Sequence, residues 1–117
     1  MREIFFYRNA SGDCPVEEFL ETLGPKQTQK IVWVLRVVKE LAMAPRQYFK
    51  KLEGTKDLWE VRADFGGDAF RLLGFWDGGS KVVLTNGFAK KSPKTPAREI
   101  ELADQRKRDY QKRHRKS

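Results

Sequence analysis

A chain of 117 residues with a formal net charge of +8 and one cysteine is one domain's worth of protein, able to bury a core without staples and unable to form an internal disulfide. No stretch approaches the roughly 18 apolar residues of a membrane span, and the N-terminus lacks the basic region and apolar run of a signal peptide, so a cytoplasmic location is expected. The single histidine, His114, has no Cys, Asp or Glu at ligand spacing, and no GxxxxGK or GxGxxG fingerprint occurs, so neither a metal nor a cofactor is expected.

Residues Met1 to Arg8 read as a strand, with Ile4, Phe5, Phe6 and Tyr7 as β-formers. Asn9 to Asp13 is turn chemistry. Cys14-Pro15 opens a helix, because the missing N–H of Pro15 costs nothing in a first turn. Val16, Phe19, Leu20 and Leu23 give that helix one apolar face, and Gly24-Pro25 ends it and starts the next. In the second helix Ile31, Val34, Leu35, Val38, Leu41 and Ala42 recur at three- and four-residue spacing until Pro45 stops it. The two helices form a hairpin whose shared stripe needs a sheet to cover it.

Arg46 to Lys56 reads as a basic connecting loop. Three strands follow. In the first, Trp59, Val61, Ala63 and Phe65 alternate with Glu60, Arg62 and Asp64, the pattern of a strand with one polar face. Gly66-Gly67-Asp68 turns the chain into Ala69 to Trp76, mostly apolar and therefore central, and Asp77 to Ser80 turns it again into Lys81 to Phe88. Strands so closely spaced are antiparallel neighbours. Ala89 to Lys94 reads as a loop, and Thr95-Pro96 starts a last helix with a hydroxyl cap and a proline just inside. Ile100, Ala103, Lys107 and Tyr110 line one side of it. The expected fold is α+β, in the order β-α-α-β-β-β-α: a helical hairpin and a C-terminal helix packed on a small, mainly antiparallel sheet. Residues 1–110 make the domain and 111–117 a basic tail.

Charge placement narrows the partners. Residues 90–117 hold eleven bases against four acids, so seven of the eight net positive charges sit in this stretch. Such a block attracts polyanions by releasing their counterions, although a basic tail can equally be a solvated end. Arg71 lies in the otherwise apolar run Phe70-Arg71-Leu72-Leu73, where it must find a partner: either Glu60 or Asp64 across the hairpin, or a phosphate. Arg62 shares the polar face of the preceding strand. The pairs Lys50-Lys51 and Lys90-Lys91 sit at strand ends, where loops converge. A Cys–His nucleophile would require Cys14 to meet His114, and Cys14 reads instead as a cap or small buried residue. Basic residues on a sheet suit cleavage of RNA by its own 2′-hydroxyl, which needs the phosphate charge neutralised and a proton moved at each oxygen.

The runs Lys50-Lys51-Leu52-Glu53-Gly54, Leu58-Trp59-Glu60-Val61-Arg62 and Phe70-Arg71-Leu72-Leu73 resemble the RelE/HigB toxins. The closing stretch from Gly87-Phe88-Ala89-Lys90-Lys91 to Lys94-Thr95-Pro96, followed by Arg98-Glu99-Ile100, is similar more narrowly to their phage-derived HigB-like branch. The resemblance implies the toxin of a type II toxin–antitoxin pair, an mRNA interferase that enters the ribosome and cuts mRNA without metal. It implies as partners the ribosome, mRNA and a helix-turn-helix antitoxin, with operator DNA reached only through that antitoxin and no membrane. Arg62 and Arg71 fall where the family's catalytic basic residues are expected, with Lys90 and Lys91 after the last strand. Glu60 stands where some relatives carry a base, and joins them as a catalytic candidate. Lys50, Lys51, Lys94, Arg106 and Lys107 are the expected RNA-binding residues. The alternative is a non-catalytic or gyrase-directed member of the same scaffold, acting by nucleic-acid or protein binding.

Overall fold

The computed structural model describes residues 2–114. Eight elements follow one another: β1 (Glu3–Phe6), α1 (Pro15–Glu21), α2 (Pro25–Glu40), β2 (Phe49–Lys51), β3 (Trp59–Phe65), β4 (Asp68–Asp77), β5 (Lys81–Lys90) and α3 (Ala97–Arg113). The five strands form one sheet in the order β1-β5-β4-β3-β2. All neighbours are antiparallel except β1, which lies parallel to β5 with Ile4 opposite Val82. The expected α+β fold is therefore the observed one, with β4 at the centre of the sheet.

Four local readings change. The second helix ends at Glu40, so Leu41 and Ala42 fall outside it and are exposed rather than on its apolar face. The stretch 46–56, expected as a loop, contains β2, which pairs Lys50 with Glu60 at the sheet edge. The last strand runs to Lys90, so Lys90 sits on a strand opposite Ala69 rather than in a loop. Thr95 does not cap α3: the N-cap is Pro96, which makes no side-chain cap bond. The expected tail, 111–117, is helical through Arg113, and its residues 115–117 lie outside the described residues.

Side chains alternate across the sheet, so each face has its own core. On one face α1 and α2 bury Val16, Ile31, Val34 and Val38 against Val61, Ala63, Leu72, Val82 and Leu84. Gly87 is required there: a Cβ would sit 2.5 Å from side-chain carbons of both Leu72 and Phe19. The other face is covered by α3 and by Leu52 and Leu58 of the segment between β2 and β3. Ala103, with the partly buried Ile100 and Tyr110, packs on Leu73, Phe75, Val83 and Tyr7. So thin an apolar contact is reinforced by polar ties. The Tyr7 hydroxyl donates to Asp109, which also accepts from Arg113, and the Tyr110 hydroxyl donates to Asp77 at 2.7 Å. Burial, and then that bond, push the Tyr110 hydroxyl up to about 12.

Between β3 and β4 the hairpin turns on Gly66 and Gly67, both at positive φ (58° and 86°), the conformation a two-residue turn requires. Between β4 and β5 the register slips at Leu73/Gly74, leaving Thr85 as an extra residue. Its hydroxyl donates to the Leu73 carbonyl at 3.1 Å, and its own carbonyl accepts from Arg106 at 3.0 Å, so the bulge is satisfied from within.

Candidate functional site

The α3 helix leaves part of its sheet face bare. Its first turn is tied down where Asn86 donates to the Glu99 carboxylate at 3.0 Å. From there it runs toward Asp77 and Tyr7, away from the β3–β4 turn. The uncovered end of that face carries Arg62 and Arg71, which are direct cross-strand partners, then Phe88 beside Arg71, and Lys90 beside Ala69. Arg62, Arg71 and Lys90, together with Lys91, Ser92 and Pro93, line an open cleft of about 740 Å³.

Two like charges opposite one another on neighbouring strands repel. The arrangement holds because carboxylates stand beside them. Glu60, only 1% exposed, places Oε1 3.4 Å from Arg62 Nε and 4.0 Å from Arg71 Nε. Arg71 Nη1 donates to Asp64 at 2.9 Å and to its neighbour's carbonyl, Phe70, at 2.9 Å. Thr95, in the loop ahead of α3, directs its hydroxyl at Glu60 Oε2 across 3.4 Å. Even so, Nε of Arg62 and Nε of Arg71 are both buried without a hydrogen-bond partner. Glu60 and Asp64 together thus balance the pair without saturating it.

Lys90 completes the group. Burial is the larger cause holding its ammonium below the usual lysine pKa of 10.5; Arg71, Arg62 and Lys50 add to the lowering, and Glu60 opposes it. A lysine so placed exchanges a proton nearer neutrality than a solvated one does. A buried carboxylate, two arginine forks and a pKa-lowered lysine on adjacent strands can seat a phosphate and move a proton beside it. Among the described residues no group of three or more His, Cys, Asp or Glu is placed to hold a metal ion.

Of the residues expected from sequence, Glu60, Arg62, Arg71, Lys90 and Lys91 come together. Arg71 satisfies the ion-pair alternative, since Asp64 and Glu60 are both at hand. Lys50, paired in register with Glu60, stands at the edge of the group, and Lys51 and Lys94 are exposed. Arg106 and Lys107 do not join: Arg106 is held on the Thr85 carbonyl, with burial lowering its pKa, and Lys107 pairs with Asp57. Both tie α3 and its surroundings down. Cys14 is buried at the start of α1 and takes no part. Thr95 was missed as a partner of Glu60, because its place before Pro96 carries the stronger local signal of a cap. Only the three-dimensional path of the loop over β3 reveals the contact.

Residues 18–108, well over half of the chain, match the family described as "Phage derived protein Gp49-like (DUF891)". No curated protein matches the chain.

Proposed function

The chain belongs to the phage-derived Gp49-like family, a RelE/HigB-type toxin family, and on that premise we propose that it is the toxin of a toxin–antitoxin pair, a ribosome-dependent mRNA endonuclease. The observation that carries this reading is the meeting of Arg62, Arg71 and Lys90 around Glu60 on the stretch of sheet that α3 leaves open.

In this reading the scissile phosphate sits against the two guanidinium groups where they line the cleft. Lys90, in its neutral form, takes the proton of the 2′-hydroxyl. The 2′-oxygen bonds to phosphorus, the bond to the 5′-oxygen breaks, and the 5′-oxygen takes a proton from the Lys91 ammonium at the rim. The products are a 2′,3′-cyclic phosphate and a 5′-hydroxyl end. Arg62 and Arg71 stabilise the charge that gathers on the phosphoryl oxygens. Glu60 is a positioning residue that keeps both forks in place in the free protein. Exposed Lys94 and Lys51 extend the positive surface along the RNA backbone. A toxin of this family implies an antitoxin, here a helix-turn-helix protein that covers the cleft and carries the pair to operator DNA.

Induced expression in a bacterial host, with primer-extension mapping of a translated reporter, tests the reading. Growth arrest with cuts only in translated message is expected. Arrest with intact mRNA would shift the target elsewhere, to gyrase for example. Absence of both arrest and cuts would overturn the enzyme.

A further inference from the structure

A second hollow lies round the edge of the sheet from the cleft. It encloses about 470 Å³ between β2, the ends of β3 and β4, and the segment after α2. Its floor is aromatic. Trp59 lies against Phe49 with ring centroids 4.9 Å apart, and Trp76 stands edge-on to Trp59 at 6.0 Å. The guanidinium of Arg2 hangs 5.8 Å from the Trp76 ring centroid and is fixed there by the carbonyls of Val38, Leu41 and Ala42, the end of α2. Arg46, Lys50 and Lys51 also line the hollow, against one acid, Glu53.

Three features make this unlike a patch of unfilled core. Trp59 and Trp76 are only partly buried, so π-surface stays open. The rim is cationic by four to one among its charged residues, which disfavours an apolar or basic occupant. Lys50 belongs to both places: it lines the hollow and is close enough to lower the pKa of Lys90 in the cleft. Strand geometry sets Lys50 roughly 8 Å from Arg62, one strand across and two residues along, and roughly 12 Å from Arg71, one strand further. An occupant with a flat aromatic body and anionic links, reaching in both directions, satisfies all three.

We propose that the hollow walled by Trp59, Trp76 and Arg2 takes an unstacked base of the same RNA strand whose phosphate lies against Arg62 and Arg71, with Lys50 holding the backbone between them. The inference rests on the function proposed above and deepens it: the cleft is indifferent to sequence, whereas a base seated among fixed aromatic walls makes the cut depend on which nucleotide flanks it. Bases stack on aromatic side chains with little loss of generality, so the preference is graded rather than absolute.

The test uses the full chain in a Trp33→Phe background, so that fluorescence comes from Trp59 and Trp76 alone. The probe is a short single-stranded RNA made uncleavable by one 2′-deoxy nucleotide, with an abasic nucleotide stepped along it. RNA binding is expected to quench the fluorescence, and one abasic position is expected to weaken binding roughly 5- to 100-fold. That positional penalty should vanish in Trp59→Ala. Because Trp59 also packs on Phe49, the double variant Arg46→Glu with Lys51→Glu, confined to exposed side chains, serves as the second arm; it should weaken binding with the melting temperature unchanged. Binding that needs Arg71 but neither quenches fluorescence nor penalises any abasic position would overturn the hollow's role and leave the cleft's intact. No RNA binding in any variant would overturn the hollow as a base site, while the proposed cleavage stands or falls separately on the cuts in the translated reporter.

Discussion

Replacing Arg71 by alanine separates the roles its position allows. The side chain is 6% exposed and makes two hydrogen bonds, to the Asp64 carboxylate and the Phe70 carbonyl. Charge-assisted bonds of this kind contribute about 1.5–3 kcal/mol each when fully desolvated. Asp64 is 73% exposed, however, and rehydrates at little cost once Arg71 is gone, so that bond is discounted to the level of a surface pair, about 0–1 kcal/mol. The Phe70 carbonyl and the lost packing of the arginine stem add about 1 kcal/mol more. Glu60 keeps Arg62 at 3.4 Å and is not stranded. The expected loss is therefore about 1–2 kcal/mol, small beside the 5–15 kcal/mol typical of a domain, and a fall in melting temperature of roughly 4–12 °C. The cost to cleavage is larger. Removing one donor from a developing oxyanion typically costs about 100- to 1,000-fold. Thermal melting and primer extension on a translated message, run on the same preparation, read both quantities. Arg71→Lys should keep most of the stability and recover only part of the activity, because an ammonium lacks the planar fork. If Arg71→Ala folds and cuts within a few-fold of the unmodified chain, the guanidinium is a strut between β3 and β4 and the phosphate argument fails.

Lys90→Met should raise the melting temperature at neutral pH while suppressing cleavage. Below its depressed pKa the lysine is charged in both the folded and unfolded chain, so the burial penalty is carried in full there; it is lost only as pH climbs toward 10.5. The same variant should abolish the alkaline rise in cleavage rate that Lys90 gives the unmodified chain. Asp109→Asn should lower the urea midpoint at pH 7 but not in strong acid: its hydrogen bond from Arg113, then that from Tyr7, hold the Asp109 pKa below 3.8, so the stabilisation is present above that value and disappears as pH falls through the depressed one. Gly74→Ala should cost about 1–3 kcal/mol in denaturant unfolding, because its Cβ would meet the Val83 carbonyl oxygen at 2.5 Å and backbone cannot step aside. An unchanged midpoint would mean that β4 and β5 separate more readily there than their pairing implies.

How much of this was legible in the chain depended on how local the cause was. The apolar spacing of Ile31, Val34 and Val38 marks α2 because a helix repeats every few residues, and Gly66-Gly67 marks the hairpin because the turn demands positive φ. β2 was hidden by its own composition. It is three residues long, only Phe49 of them is buried, and its two lysines look like loop, although lysine is what an edge strand carries to discourage further pairing. The parallel pairing of β1 with β5 joins segments nearly eighty residues apart, and no short-range pattern records it. For the site, Arg62 and Arg71 could be named, and so could the acids that answer them. What the alternation in β3 did not convey is that its polar side is buried at Glu60, because that depends on Thr95 and the path of the chain into α3.

The thinness of α3's apolar side also bears on why the arginines lie where they do. Only Ala103 is fully buried on that helix, Ile100 and Tyr110 are partly so, and its remaining ties are polar. Such a helix can cover one end of a sheet face but supplies no apolar surface for the rest, and leucine or valine at positions 62 and 71 would then meet water. Solubility alone would be served by any polar pair, most cheaply by an oppositely charged one. Instead the chain sets two arginines directly opposite each other, then spends a buried glutamate and Asp64 to make that tolerable, and still leaves both Nε atoms unpartnered. A sequence optimised for stability would not retain that conflict. On the face that α3 leaves open, that conflict serves the proposed phosphate site: positive charge is held in place before the ligand arrives.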